Sequence, residues 1–130
     1  MKTRSFALLT IALVLSILLT ACGPKASPTP QQPAAPKGDA AAGKTKFEST
    51  CASCHGPDGK GIPGLGKDLT TSAFAKGMNA TDFVAFILQG RPATHPDNTT
   101  KVDMPPKGGN PALTESDLYD IVAYVRTLQK

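Results

Sequence analysis

The stretch Cys51–Gly61, "CASCHGPDGKG", decides how this chain folds and what it holds. Two cysteines and a histidine fall within five residues, and three chemistries use such a cluster. Structural zinc needs four ligands, commonly from two such pairs. Here there is one CxxC pair, with only His95 and distant carboxylates to complete a set. A thioredoxin-like dithiol belongs in a βαβ context, and no alternating strand pattern flanks the motif. Covalent haem attachment uses C-x-x-C-H, and the match to that pattern is complete. On a helical turn, residues three apart project from the same side. Cys51 and Cys54 can then reach the two vinyl groups of one haem, and His55 can bind its iron from the same face.

The third cysteine has a different setting. Lys2 and Arg4 make a basic start, and Phe6 to Thr20, "FALLTIALVLSILLT", is almost wholly apolar. That run suits an export signal and is short for a spanning helix, which needs ~20 residues. Leu19-Thr20-Ala21-Cys22 resembles the lipobox of bacterial lipoproteins, in which the cysteine is lipidated and becomes the mature N-terminus. Residues 1–21 are therefore expected to be a signal peptide and Cys22 the lipid attachment site. Acyl chains anchor durably because each buried CH₂ contributes ~0.8 kcal/mol. The protein is expected outside the cytoplasm, on the periplasmic side of a membrane or the outer cell surface. Two thioethers and one lipid use all three cysteines, and no thiol is left for a disulfide.

Residues 22–37 follow as a tether. Gly23 to Lys37, "GPKASPTPQQPAAPK", holds five prolines and no large apolar residue. It cannot bury a core and should be extended and semi-rigid, reaching roughly 45 Å as polyproline II. The folding unit is then residues 38–130. The formal charge of +4 does not belong to it: Lys2, Arg4, Lys25 and Lys37 precede Gly38, leaving ten basic against ten acidic residues. With no basic stripe and few aromatics, nucleic-acid binding is excluded. A core this small, without Trp, gains from a bound group.

Helical signals separated by Gly/Pro-rich loops predict an all-α domain. Asp39 to Thr50 reads as a short helix with an acidic start. Thr81 to Gln89 is an apolar helix stopped by Gly90. Thr114 opens the last helix, with Asp117 completing a capping box. Leu118, Ile121, Val122, Val125 and Leu128 form its apolar stripe. A shorter helix is expected near Thr71 to Lys76.

From about residue 38 to 130 the chain resembles class I c-type cytochromes, the small monohaem cytochromes c. "CASCHGPDGKG" carries the resemblance, together with Gly43 and Phe47 and the closing "MPPKGGNPALTESDLYDIVAYVRTL". It implies three to five short helices around one covalent haem c, with Gly43 and Phe47 packed on the last helix near Tyr124. Many members carry "GPxL" after the haem motif, where the proline carbonyl accepts a hydrogen bond from the axial histidine. This chain has "GKDL", with Lys67 at the proline's place and Pro63 nearby in "GIPGL". Any residue has a carbonyl, so which one serves His55 is left open.

Met78, His95 and Met104 are the downstream candidates for the sixth iron ligand. Pro105 biases Met104 toward extended backbone, and Pro105 and Pro106 stiffen its loop. The resemblance places the ligand at the same Met104. Met78 is expected to pack in the haem pocket and His95 to be a solvated loop residue. Arg91 is weighed as a neighbour of a haem propionate against an exposed arginine at a helix end. Lys60, Lys67, Lys101 and Lys107 are weighed as a ring at the haem edge, opposed to Glu115, Asp117 and Asp120, against a mixed solvated surface. His/Met ligation fills both axial positions and leaves one-electron transfer rather than enzymatic turnover. The expected protein is a membrane-tethered monomeric carrier. It would link a quinol-oxidising complex to a terminal oxidase or photosynthetic reaction centre. The alternatives are a haem subunit fixed in a larger redox complex, and a haem enzyme or gas sensor with a labile sixth ligand.

Overall fold

Four of the five α-helices among the described residues start where a side chain closes on its own backbone. The computed structural model describes residues 35–130. The signal sequence, Cys22 and most of the tether lie outside the described residues. Asp39 opens α1 (Ala40–Thr50) by accepting from the Ala41 and Ala42 amides at 2.8 and 3.3 Å. One further turn, α2 (Ala52–His55), follows directly and ends at Gly56. Ser72 caps α3 (Ala73–Gly77), and Asn79 caps α4 (Ala80–Gln89). A 3₁₀ turn covers Pro106–Gly109. Thr114 and Asp117 form the expected capping box on α5 (Glu115–Leu128). Five short α-helices result, and among the described residues only two isolated β-bridges occur, Ile62 with Gly66 and Arg91 with Met104.

The helices match the sequence expectations except at their edges. The short helix starts at Ala73 rather than Thr71, because the Thr71 hydroxyl is spent on the Asp68 carboxylate, 2.9 Å away, and Ser72 takes the cap. The fourth begins at Ala80, one residue early, because Asn79 supplies the cap to the Asp82 amide at 2.9 Å.

Helices α1 and α5 make the most extensive packing in the fold. Gly43 lies so close to α5 that a Cβ there would be 1.9 Å from the Asp120 carbonyl oxygen. One turn on, Phe47 is fully buried and meets the Tyr124 ring at 5.4 Å between centroids. Burying a side chain of this kind contributes ~1.5–3 kcal/mol, and a tilted ring pair adds ~0.5–1.5 kcal/mol. Around them Leu118, Ile121, Val122 and Val125 of α5 pack with Phe83, Val84 and Ile87 of α4. Ala35 and Leu128 pack at the margin of the same core.

A charged clamp closes the crossing from outside. The Lys46 ammonium lies 2.8 Å from Asp117 and 2.6 Å from Asp120, and Asp120 also accepts the Asp39 amide at 2.8 Å. The ammonium holds both carboxyls below the usual range, and they raise the lysine in return. Two of the three acidic residues expected to polarise the last helix are thus already paired.

Gly43→Ala tests the crossing. A methyl group cannot fit against a backbone carbonyl on a packed helix. The variant should lose at least ~3 kcal/mol, the upper end for overpacking, as measured by denaturant unfolding of the haem-loaded protein.

Candidate haem site

The site begins where α1 runs into α2. Cys51 closes α1, its amide donating to the Phe47 carbonyl at 2.8 Å, and the same residue starts α2. The amides of Cys54 and His55 return to the Cys51 carbonyl at 3.2 and 3.0 Å. The whole motif therefore sits on helical turns anchored, through Phe47, to the α1–α5 core. Both cysteines are half-buried free thiols. Burial pushes the Cys51 thiol up to about 11, with Cys54 adding to it. That is the wrong direction for a thiol–disulfide nucleophile, which works as a thiolate. Among the described residues no three His, Cys, Asp or Glu side chains converge to hold a metal ion, so no zinc set is completed.

Cys51, Cys54, His55 and Met104 all border one cavity of about 500 Å³. Its walls are mainly apolar, with Phe47, Phe83, Phe86 and Ile87 among them. The His55 Nδ1 lies 2.8 Å from the Lys67 carbonyl oxygen. A carbonyl only accepts, so Nδ1 carries the proton and Nε2 keeps its lone pair for a metal. The open question about the acceptor is thus resolved in favour of the residue that stands at the proline's place.

Without proline, that carbonyl is held by packing and hydrogen bonds. Gly66 backs onto the haem motif, with a Cβ there 2.2 Å from the Cys54 oxygen. Gly61, at φ +81°, would place a Cβ 2.6 Å from the Gly66 oxygen and 2.7 Å from the Lys67 carbonyl carbon. The Gly61 amide donates to the His55 carbonyl at 2.7 Å, and Leu69 donates to Gly59 at 2.7 Å. The Asp68 carboxylate accepts from the hydroxyls and amides of Thr70 and Thr71 at 2.7–3.3 Å. These bonds, the Thr70 hydroxyl foremost, hold its carboxyl down to about 2.

Met104 enters the cavity wall from a loop. Its amide and carbonyl pair with those of Arg91 at 2.9 and 2.8 Å. Gly90 allows this approach, since a Cβ there would lie 2.4 Å from the Met104 oxygen. Arg91 is neither an exposed helix-end residue nor ion-paired among the described residues. It borders the cavity, its guanidinium 4.5 Å from the Phe74 ring centroid and 4.8 Å from that of Phe86. Stacking on two rings is favourable for the charge. It also leaves a cation on the wall of an otherwise apolar space, where an anionic substituent would be matched.

The remaining expectations fare differently. Met78 does not line the cavity. It caps α3 and packs on the core from outside, and its carbonyl accepts from Arg126 at 2.5 Å. The guanidinium that crosses from α5 fixes it there. His95 stays off the cavity, its Nδ1 accepting from the Asp97 amide at 3.2 Å. Of the lysines, Lys60 is paired with Asp58 at 2.8 Å, and Lys107 donates to the Leu113 carbonyl at 2.7 Å. Lys67 contributes its carbonyl while its side chain stays exposed. Sequence reasoning missed Asp68, Asn98 and the Phe74–Phe86 pair. Both polar residues carried a signal: an Asx residue with two threonines just after it, in "DLTT" and "NTTK", is a side-chain-to-backbone turn pattern.

The cytochrome c family model matches residues 40–129, which contain the two cysteines expected to attach the haem and both expected iron ligands. Cytochrome c-555 of Chlorobaculum thiosulfatiphilum is 41% identical over 88 residues, covering 67% of this chain and 93% of that protein. Cytochrome c-555 of Chlorobaculum tepidum is 38% identical over 88 residues, covering 67% and 74%. The Cbb3-type cytochrome c oxidase subunit CcoP of Rhodobacter capsulatus is 32% identical over 90 residues, which is 68% of this chain but 29% of that subunit.

Whether the histidine bond depends on the backbone or on the Lys67 side chain is open to test. Lys67→Ala should leave the exchange-protected His55 Nδ1–H signal of the haem-loaded protein unchanged by NMR. Gly61→Ala should shift it or expose it to exchange, because the new methyl group displaces the Lys67 peptide.

Proposed function

The chain belongs to the cytochrome c family, as a monohaem electron-transfer protein with covalently bound haem c, and from that premise we propose a lipid-anchored, extracytoplasmic carrier of single electrons. In this proposal Cys51 and Cys54 would hold the haem as thioethers, and His55 and Met104 would ligate its iron. The observation that carries it is that these four side chains border one apolar cavity. When bound, the haem supplies a one-electron couple at its iron.

The protein's own part is positional. The Lys67 carbonyl orients the His55 ring and, by accepting its Nδ1 proton, makes the other nitrogen a stronger donor. The Arg91–Met104 backbone pair holds the thioether's loop at the wall. Phenylalanine and aliphatic walls exclude water, so a charge change at the site meets little solvent rearrangement. A thioether in place of a second imidazole raises the potential. With His55 and Met104 both holding the iron, no coordination site would remain for a substrate, which favours electron transfer over turnover or gas sensing. Arg91, stacked on the wall, is proposed to face a propionate.

Residues 1–21 are proposed as a signal peptide, Cys22 as the lipid site and 22–37 as the tether. A Pro-rich tether suits a domain that swings between donor and acceptor, such as a quinol-oxidising complex and a terminal oxidase or reaction centre. The likeness to CcoP favours a second arrangement, a domain of this kind held within an oxidase complex.

Two measurements check this. The ferric protein should show the weak near-infrared methionine–iron band, and Met104→Ala should abolish it and let the reduced protein bind carbon monoxide. A wild-type protein without the band that takes up carbon monoxide readily would sink the carrier proposal. Mass spectrometry of the mature protein should find an N-terminal Cys22 carrying acyl chains, and an unmodified Cys22 would rule out the lipid.

A further inference from the structure

The loop between Arg91 and Met104 is closed at its neck by the paired backbone bonds of those two residues. Inside it sits the one buried polar side chain of the described core, Asn98, only 5% exposed. Its amide nitrogen donates to the carbonyls of Val102 at 2.7 Å and Pro92 at 3.1 Å, with Arg91 at the limit of 3.5 Å. Its oxygen accepts from the Thr100 hydroxyl at 3.1 Å and the Lys101 amide at 3.0 Å. The orientation of the amide is not ambiguous, since three carbonyls can only face its N–H groups.

The two halves of this amide do different jobs. The acceptor half holds the tip, where Lys101 is at φ +60°, a left-handed conformation unfavourable for lysine. The donor half ties the outgoing arm, Arg91 and Pro92, to the returning arm at Val102, two residues before Met104. A further bond, from the Ala93 amide to Asp103 at 2.5 Å, joins the same arms nearer the neck. Asn98 also borders the haem cavity, and it is buried enough that an unpaired carbonyl beside it is costly.

We propose that Asn98 is the positioning residue for Met104, which rests on Met104 being the sixth ligand. It does not touch the methionine. It acts through the two arms of the loop, which it holds at a fixed separation so that the thioether stays at the iron without a covalent tie. Remove the donor half and the returning arm is held only by the Arg91–Met104 bridge and the Ala93–Asp103 bond. The iron would then spend a larger fraction of time without its weak ligand.

The test uses haem-loaded full-length protein carrying Asn98→Asp, Asn98→Ala or Thr100→Val. The readouts are the near-infrared band and the rate of carbon monoxide association with the reduced form. Asn98→Asp keeps the shape and the acceptor but loses both donors. It should weaken the band and speed carbon monoxide binding by about tenfold or more, as expected for a lost buried hydrogen bond. Asn98→Ala should do at least as much. Thr100→Val removes one bond to the acceptor half and should fall between these and the wild type. If the wild type itself lacks the band, the ligand assignment is wrong. If the wild type has it and the variants keep both the band and the wild-type rate, Asn98 is not a positioning residue, even if they unfold more easily. Should these variants fail to fold, Asn98→Ser, whose single hydroxyl is too short to join both arms, decides by the same readouts.

Discussion

The approach of Gly43 to the Asp120 carbonyl is the constraint from which the rest of the site follows. It brings α1 and α5 to backbone contact, and only at that distance can Phe47 enter the core against Tyr124. Phe47 in turn accepts the amide of Cys51, so the haem motif is a direct continuation of a helix that cannot shift. A two-cysteine attachment demands this. The thiols and the imidazole must be presented together, and a frayed or sliding helix end would misplace all three at once. The cation at Lys46 reinforces the crossing with two carboxylates, but those groups are exposed enough that packing, not charge, dominates.

The histidine side shows how a backbone function can outlast its usual residue. Proline in such a segment restricts the chain, but what His55 needs is an oxygen at the right place. Lys67 supplies one, and its peptide is confined from three directions: by Gly61 below it, by Gly66 against Cys54, and by the Asp68 carboxylate that gathers Thr70 and Thr71. Rigidity that one ring could provide is here spread over several weak contacts. A long exposed side chain is tolerated at position 67, because His55 is served by the carbonyl alone.

Much of this was legible in the sequence because local rules set it. The capping box at Thr114, the stop at Gly90 and the stripe from Leu118 to Val125 depend only on neighbours along the chain, and each stands where expected. The pairing of Phe47 with Tyr124 came from resemblance, not from spacing. What could not be read were relations that need the fold first. Nothing local says that Arg91 lies on two phenylalanine rings, or that Met78 turns its carbonyl to Arg126 and leaves the cavity. Asp117 and Asp120 looked like part of a charged face because their partner, Lys46, sits on another helix. Asn98 was hidden for a related reason. In a polar loop an asparagine is unremarkable, and only burial reveals that all its hydrogen-bonding capacity is spent inside.

The two ends of the haem site are built on different principles, and the difference bears on how such a protein can be tuned. Cys51, Cys54 and His55 ride on helix, tied to the core through Phe47. Met104 rides on a loop whose order comes from one backbone bridge, a buried amide and the Ala93–Asp103 bond. A change near the helix must be absorbed by the whole crossing, so it is felt as lost stability. A change in the loop can be absorbed locally, so it is felt first in where the Met104 side chain is held. The loop is therefore where potential and ligand exchange can be altered with the fold left intact, and the helix is where the attachment of the haem is made secure.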